Sequence, residues 1–288
     1  MTDAAPAGFI GLGQIGAPLS SRLLAWPGGL VVCDVDPSAT AALAAEGATV
    51  ASSAAQMAES GATVISVMVR TEAQVRDVVL GPDGIAAGAL PGTAVMVHST
   101  VSPSGIEDIG RSAAAQGVAV LDAPITGGFF AAYEGTVACM LGGDEAAVEQ
   151  CRPVLELMTA LIVHAGPIGA ATRLKVARNL LTFVGYAAGG EAQRIAEAAG
   201  LSLADLSAVV SHSDKLTGGP AAVMVRSETD VIEPDDGFRE IFEHTRDLGE
   251  KDLQLALDLA RDLGVDTPLT ALAIERLGDA LGVPHQEG

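Results

Sequence analysis

Residues 9–16 read Phe-Ile-Gly-Leu-Gly-Gln-Ile-Gly: two apolar residues, then G-x-G-x-x-G at Gly11, Gly13 and Gly16. The Ala-rich run Ala17–Ala25 follows, and a second apolar run, Val31–Cys33, ends on Asp34, 18 residues after Gly16. A glycine turn between strand and helix, with an acid closing the next strand, is compatible with few folds. Gly11 permits the tight turn, Gly13 lets backbone approach a pyrophosphate, and Gly16 lets helix and strand pack closely. The helix N-terminus adds amide donors and partial positive charge. Gln14 and Ile15 complete the turn and are assigned with the glycines to a dinucleotide. Asp34 is placed to accept ribose hydroxyls and to repel a 2′-phosphate. No arginine follows it in Val35-Asp36-Pro37, so NAD is favoured over NADP.

The rest of the first half fits that beginning. Short apolar runs (Gly8–Ile10, Leu30–Cys33, Ala62–Val69, Ala94–His98, Val118–Leu121) alternate with helical ones (Ala17–Ala25, Pro37–Glu46, Ser53–Glu59, Thr71–Val79, Pro103–Gln116). Strands that are apolar throughout are buried on both faces, which predicts a parallel sheet covered by helices. After Gly169 the pattern is helical for about thirty residues, with Gly200 as a stop. Helices are then expected over Leu203–Ser211, Phe238–Leu263 and Leu269–Leu281, with loops at Gly218-Gly219-Pro220 and Glu233–Gly237. The reading is an α/β protein: a Rossmann-type dinucleotide-binding domain over 1–166 and an all-helical domain over 167–288.

Charge excludes some partners. The 288 residues hold 16 Lys+Arg against 36 Asp+Glu, a net charge of −20. Nucleic acid and anionic membrane surfaces would repel such a chain. Hydrophobic residues make up 49% of it, enough for a large core. The N-terminal residues lack the basic and apolar regions of a secretory signal, so a cytoplasmic protein is expected. Cys33, Cys139 and Cys151 are spaced neither as a disulfide framework nor as a metal site. They are expected to be buried small hydrophobes, with no metal bound.

Two further stretches carry candidate chemistry. Asp122-Ala123-Pro124-Ile125-Thr126-Gly127-Gly128 follows a strand, and a bent loop with free amides beside a hydroxyl can receive a carboxylate. A plain connecting turn fits the pattern equally well. In Gly166–Asn179, Lys175 and Asn179 lie at i and i+4, on one helical face. A lysine among small apolar residues can be desolvated, which lowers its pKa and suits acid–base work. A snorkelling surface lysine is the alternative. Lysine is scarce, however, with only Lys175, Lys215 and Lys251 in the chain.

Four segments in order, Gly8–Leu19, Asp122–Gly128 with Glu134–Thr136, Gly166–Asn179 and Lys251–Leu257, resemble the motifs of the β-hydroxyacid dehydrogenases. The resemblance covers nearly the whole chain. It implies a long interdomain helix and a helical domain that forms much of a dimer interface, so a homodimer or homotetramer is expected. It implies Lys175 as general acid/base, with Asn179 as its polar partner. Thr126, Gly127 and Gly128 would hold the carboxylate of a small anionic substrate, and Lys251 and Asp252 would meet substrate and cofactor. Met68 and Thr100 are implied as cofactor contacts. The implied activity is hydride transfer between a small β-hydroxy acid, 3-hydroxyisobutyrate-like, and the nicotinamide. An NADPH-dependent semialdehyde or imine reductase and a non-catalytic nucleotide-binding scaffold are the alternatives. Arg178, His244, Phe129 and Phe130 depart from the family pattern and bear on the substrate. His98, His164, His212 and His244 are expected to be packed, hydrogen-bonded residues.

Overall fold

The computed structural model describes residues 4–285. The chain forms two compact units, one running to Arg178 and one starting at Asn179. The expected division near Gly166 falls at the end of a strand. The division between these compact units falls inside helix Ala170–Ala198, which belongs to both.

The first unit holds one sheet of nine strands: β1 (Ala7–Ile10), β2 (Leu30–Cys33), β3 (Thr49–Val50), β4 (Val64–Val67), β5 (Ala94–Val97), β6 (Ala119–Asp122), β7 (Ile125–Thr126), β8 (Val137–Gly142) and β9 (Thr159–Gly166). Their order is β3-β2-β1-β4-β5-β6-β8-β7, with β9 also paired to β8. The first six are parallel, in the order expected of a dinucleotide-binding sheet. β8 runs antiparallel to β6 and β7. Every residue of β1, β2, β4 and β5 is buried, and this is why those segments read as continuous apolar runs.

The pleat sends alternate side chains to two cores. Phe9, Val32, Met96 and Leu121 pack on one face. Ile10, Val31, Ile65, Val95 and Val120 pack on the other. Each such large side chain contributes roughly 1.5–3 kcal/mol by leaving water. The covering helices start where their sequences say they should. Asp36 accepts from Ser38 N ahead of Pro37, Thr71 and Gln74 form a capping box, and Ser102 caps the helix that Pro103 opens. Trp26, the single tryptophan, lies just before β2; its Nε1 donates to Ala5 O at 2.8 Å, and its ring packs on the Phe9 core.

The second unit contains helices Leu203–Thr217, Arg239–Leu263 and Pro268–Ala280, and no strand among the described residues. The glycine loop at 218–220 continues as a 3₁₀ turn, Gly219–Val223. The core of this unit is small: Ile232, Phe242, Leu281 and Val283. Glu191, 4% exposed, accepts from the amides of Leu269 and Thr270 and so anchors the start of Pro268–Ala280. Many large apolar side chains of this unit stay exposed, among them Leu180, Phe183 and Tyr186 on helix Ala170–Ala198 and Val209 on helix Leu203–Thr217. Among the described residues no helix is long and apolar enough to cross a membrane.

Candidate active site

The glycine turn sits at the C-terminal end of β1. Gly11 N donates to Cys33 O at 3.0 Å, and Met68 N donates to Ile10 O at 2.8 Å, so the turn is held between β2 and β4. Gly11 has φ +93°, and a Cβ there would lie 2.1 Å from Met68 O. A Cβ on Gly16 would lie 2.0 Å from Gly11 O. The chain's own packing therefore requires both glycines. Gly13 is different: it is exposed, and a Cβ there would meet nothing within 4 Å. Nothing in the protein accounts for its missing side chain, whereas close approach by an outside group does. The turn therefore fits a pyrophosphate, which Gly13, Gln14, Ile15 and the N-terminus of helix Gly16–Arg22 would hold.

Asp34 is half-buried beside this turn. Its Oδ2 accepts from Leu12 N at 2.6 Å and its Oδ1 from Asp36 N at 2.8 Å. Next to it is a cavity of about 420 Å³ whose lining includes Gly11, Cys33, Asp34, Ser52, Asp77 and Asp83. Among the described residues, three carboxylates and no cationic side chain line it. Asp77 and Asp83 have no signature in the sequence, because only the fold brings them beside Asp34. Two loops meet at the neighbouring strand ends. Ser99 Oγ donates to Val69 O at 2.6 Å and accepts from Val69 N at 3.1 Å, tying the segment of Met68 to that of Thr100. Met68 is half-buried and Thr100 exposed.

The second glycine segment begins at the end of β6. His98, fully enclosed, approaches Ala123 O with Nδ1 (2.8 Å) and Ser66 Oγ with Nε2 (3.0 Å). Burial lowers its pKa to about 4, so at neutral pH it is a neutral strut. Asp122 is 1% exposed; its Oδ1 accepts from Gly169 N at 2.8 Å and its Oδ2 from Thr172 N at 2.6 Å. Thr126 is half-buried and pairs with Ala138, and Gly127 (φ +140°) and Gly128 (φ +76°) are exposed. A plain connecting turn is the other reading of this segment. A short helix, Gly128–Glu134, intervenes and displays Phe129, Phe130 and Tyr133 to solvent.

Lys175 is buried, 8% exposed, on helix Ala170–Ala198. Burial, and secondarily the charge of Arg178, pulls its pKa below the ordinary lysine value. Among the described residues of the first unit no carboxylate pairs with it. Thr172, one turn earlier, is fully buried, and its hydroxyl has no partner among the described residues. Asn179 follows Lys175 at i+4 and is half-buried. Lys251 and Asp252 form an exposed ion pair on helix Arg239–Leu263 in the second unit.

The histidine expectation holds for His98; His164 is hydrogen-bonded, with Nε2 3.1 Å from Gly143 O, but it is exposed rather than packed. It fails for His212 and His244, which are exposed on helices because no core packs over those faces. Cys33, Cys139 and Cys151 are buried free thiols, with burial pushing Cys151 up to about 12. No cluster of metal-ligating side chains occurs among the described residues.

A parallel sheet in this order, with a glycine turn open to a pyrophosphate, defines a Rossmann-type dinucleotide-binding protein. Residues 6–166 match the NAD binding domain of 6-phosphogluconate dehydrogenase, and residues 169–283 match the NAD-binding region of NADP-dependent 3-hydroxyisobutyrate dehydrogenase. An uncharacterized oxidoreductase of Mycobacterium tuberculosis is 48% identical over 97% of this chain and 94% of its own. The NAD-dependent L-serine dehydrogenase of Pseudomonas aeruginosa is 37% identical over 92% of this chain and 89% of its own. A Mycobacterium avium protein whose crystal structure carries the provisional name oxidoreductase superposes with a TM-score of 0.91, at 46% identity, over 97% of this chain and 99% of its own. The chain belongs to the family of NAD(P)-dependent β-hydroxyacid dehydrogenases.

Proposed function

We propose that the protein oxidises a small β-hydroxy acid of the 3-hydroxyisobutyrate or serine kind with NAD⁺. The observation that carries this reading is Lys175: a buried amine with a lowered pKa, on a helix tied to the strand end from which the Thr126–Gly128 segment departs. A neutral lysine there accepts the substrate's hydroxyl proton at Nζ, and Asn179 orients the hydroxyl or the amine. Thr126 and the amides of Gly127 and Gly128 receive the substrate carboxylate. By the motif they occupy, Lys251 and Asp252 add contacts to substrate and cofactor. The nicotinamide, when bound, supplies the hydride acceptor. In the reductive direction the Lys175 ammonium returns the proton to a carbonyl oxygen.

Asp34, Asp77 and Asp83 support NAD over NADP, because a 2′-phosphate would add close to two negative charges beside three carboxylates. The test is a panel of hydroxy acids, including 3-hydroxyisobutyrate and L-serine, assayed with NAD⁺ and with NADP⁺. Turnover with at least tenfold preference for NAD⁺ is expected. A preference for NADP⁺ would sink the carboxylate argument. Tight cofactor binding without turnover on any hydroxy acid would favour a scaffold.

The exposed apolar side chains of the helical unit support a homodimer or homotetramer, since surfaces this apolar mark association sites. Sedimentation should give two or four times the 28.9 kDa chain mass, and a monomer at micromolar concentration would end the idea.

A further inference from the structure

Five helices of the first unit are capped by the residue immediately before them: Asp36, Ser53, Thr71, Ser102 and Asp144. The helix that carries Lys175 begins differently. Its entry amides, Gly169 N and Thr172 N, donate to a carboxylate 47 and 50 residues away, on Asp122 at the end of β6. A local cap fixes a helix only to its own first turn. A cap supplied by a strand fixes the helix to the sheet.

Asp122 is held as firmly as its ligands. It pairs with Val97 of β5 and Gly142 of β8, and it is almost wholly buried. A Cβ on Gly142 would lie 2.2 Å from Asp122 Oδ1, so only glycine there leaves the carboxylate its place. A buried carboxylate is costly unless charge and hydrogen bonds compensate it, and here two amides and the positive end of a 29-residue helix do so. The next residue opens the Thr126–Gly128 segment. Ala123 N donates to Val97 O (2.8 Å), Ala123 O is bonded by His98, and Met140 N donates to Pro124 O (3.0 Å). One strand end therefore holds the lysine helix through its side chain and the glycine segment through its backbone.

We propose that Asp122 is a positioning residue: by clamping the first turn of helix Ala170–Ala198 to the end of β6, it sets the distance between Lys175 and a substrate carboxylate held at Thr126–Gly128. This rests on the assignment of Lys175 as the acid/base. Displacing a catalytic group by about 1 Å costs on the order of 10²-fold in rate while leaving remote binding intact.

The test is Asp122→Asn. The amide keeps the size of the side chain but offers one acceptor for two donors. Oxidation kcat per folded molecule should fall at least tenfold, with KM for NAD⁺ within twofold of wild type. A lowered melting temperature with kcat within threefold would show a structural role only and overturn the proposal. If Asp122→Asn does not fold, Gly142→Ala, which keeps the charge but displaces the carboxylate, is read in the same way. Lys175→Ala run in parallel separates the two assignments. An active Lys175→Ala removes the acid/base reading on which this proposal rests. An inactive Lys175→Ala beside an unimpaired Asp122→Asn overturns the positioning role alone.

Discussion

Lys175→Ala is expected to lower kcat for hydroxy-acid oxidation by about 10²–10⁴-fold, the usual worth of a positioned general base. Stability should change much less, because the amine is not paired in the first unit and its loss leaves no buried charge without a partner. The pH dependence follows from the direction of the pKa shift. Burial first, and Arg178 second, favour the neutral amine, so the base form persists to lower pH than in an ordinary lysine. In the wild type, kcat/KM for oxidation should rise with pH and level off at a pKa below that of free lysine. For reduction, which uses the ammonium as acid, the rate should fall across the same range. The alanine variant should lose that titrating limb. Activity within a few-fold of wild type, or an unchanged pH profile, would refute the assignment of Lys175.

The glycine turn gives the second large effect, and it divides between two positions. Gly11→Ala should destabilise the first unit by on the order of 3 kcal/mol. Positive φ costs about 1–2 kcal/mol for an L-residue, and overpacking costs about 1–3. The obstacle is the Met68 carbonyl, which is backbone and cannot rotate away. Cofactor affinity should fall with it. Gly13→Ala meets nothing in the protein, so its melting temperature should match wild type while NADH affinity drops at least tenfold. If Gly13→Ala bound NADH as well as wild type, the pyrophosphate would not lie where the turn suggests.

Much of this fold could be read from local pattern. The parallel strands β1, β2, β4, β5 and β6 are apolar runs because both faces of the sheet are covered, and the caps at Asp36, Thr71 and Ser102 are contiguous with the helices they start. What stayed hidden depends on long-range pairing. The reversal at β8 leaves no mark on Val137–Gly142, whose residues would suit a parallel strand equally. Helix Glu145–Leu155 carries Pro153 in its interior, a residue that argues against a helix there, and β9 is a short apolar run that does not distinguish helix from strand. The candidate site divides in the same way. Gly11, Gly13, Gly16, Asp34 and Lys175 stand out by residue type and spacing. Asp77 and Asp83 in the cofactor cavity, His98 under Ala123, and the grip of Asp122 on Gly169 do not, because each joins residues far apart in the chain.

The placement of Trp26 has an optical consequence. It precedes β2, whereas Gly11 follows β1, and the two strands are parallel, so the indole and the glycine turn lie at opposite ends of the sheet. Four residues of strand separate them by about 13 Å along its direction. Indole emission from this single tryptophan therefore follows the melting of the dinucleotide-binding unit, while reduced nicotinamide emission follows occupancy of the turn. Two wavelengths in one cuvette distinguish a variant that cannot fold from one that folds and cannot bind.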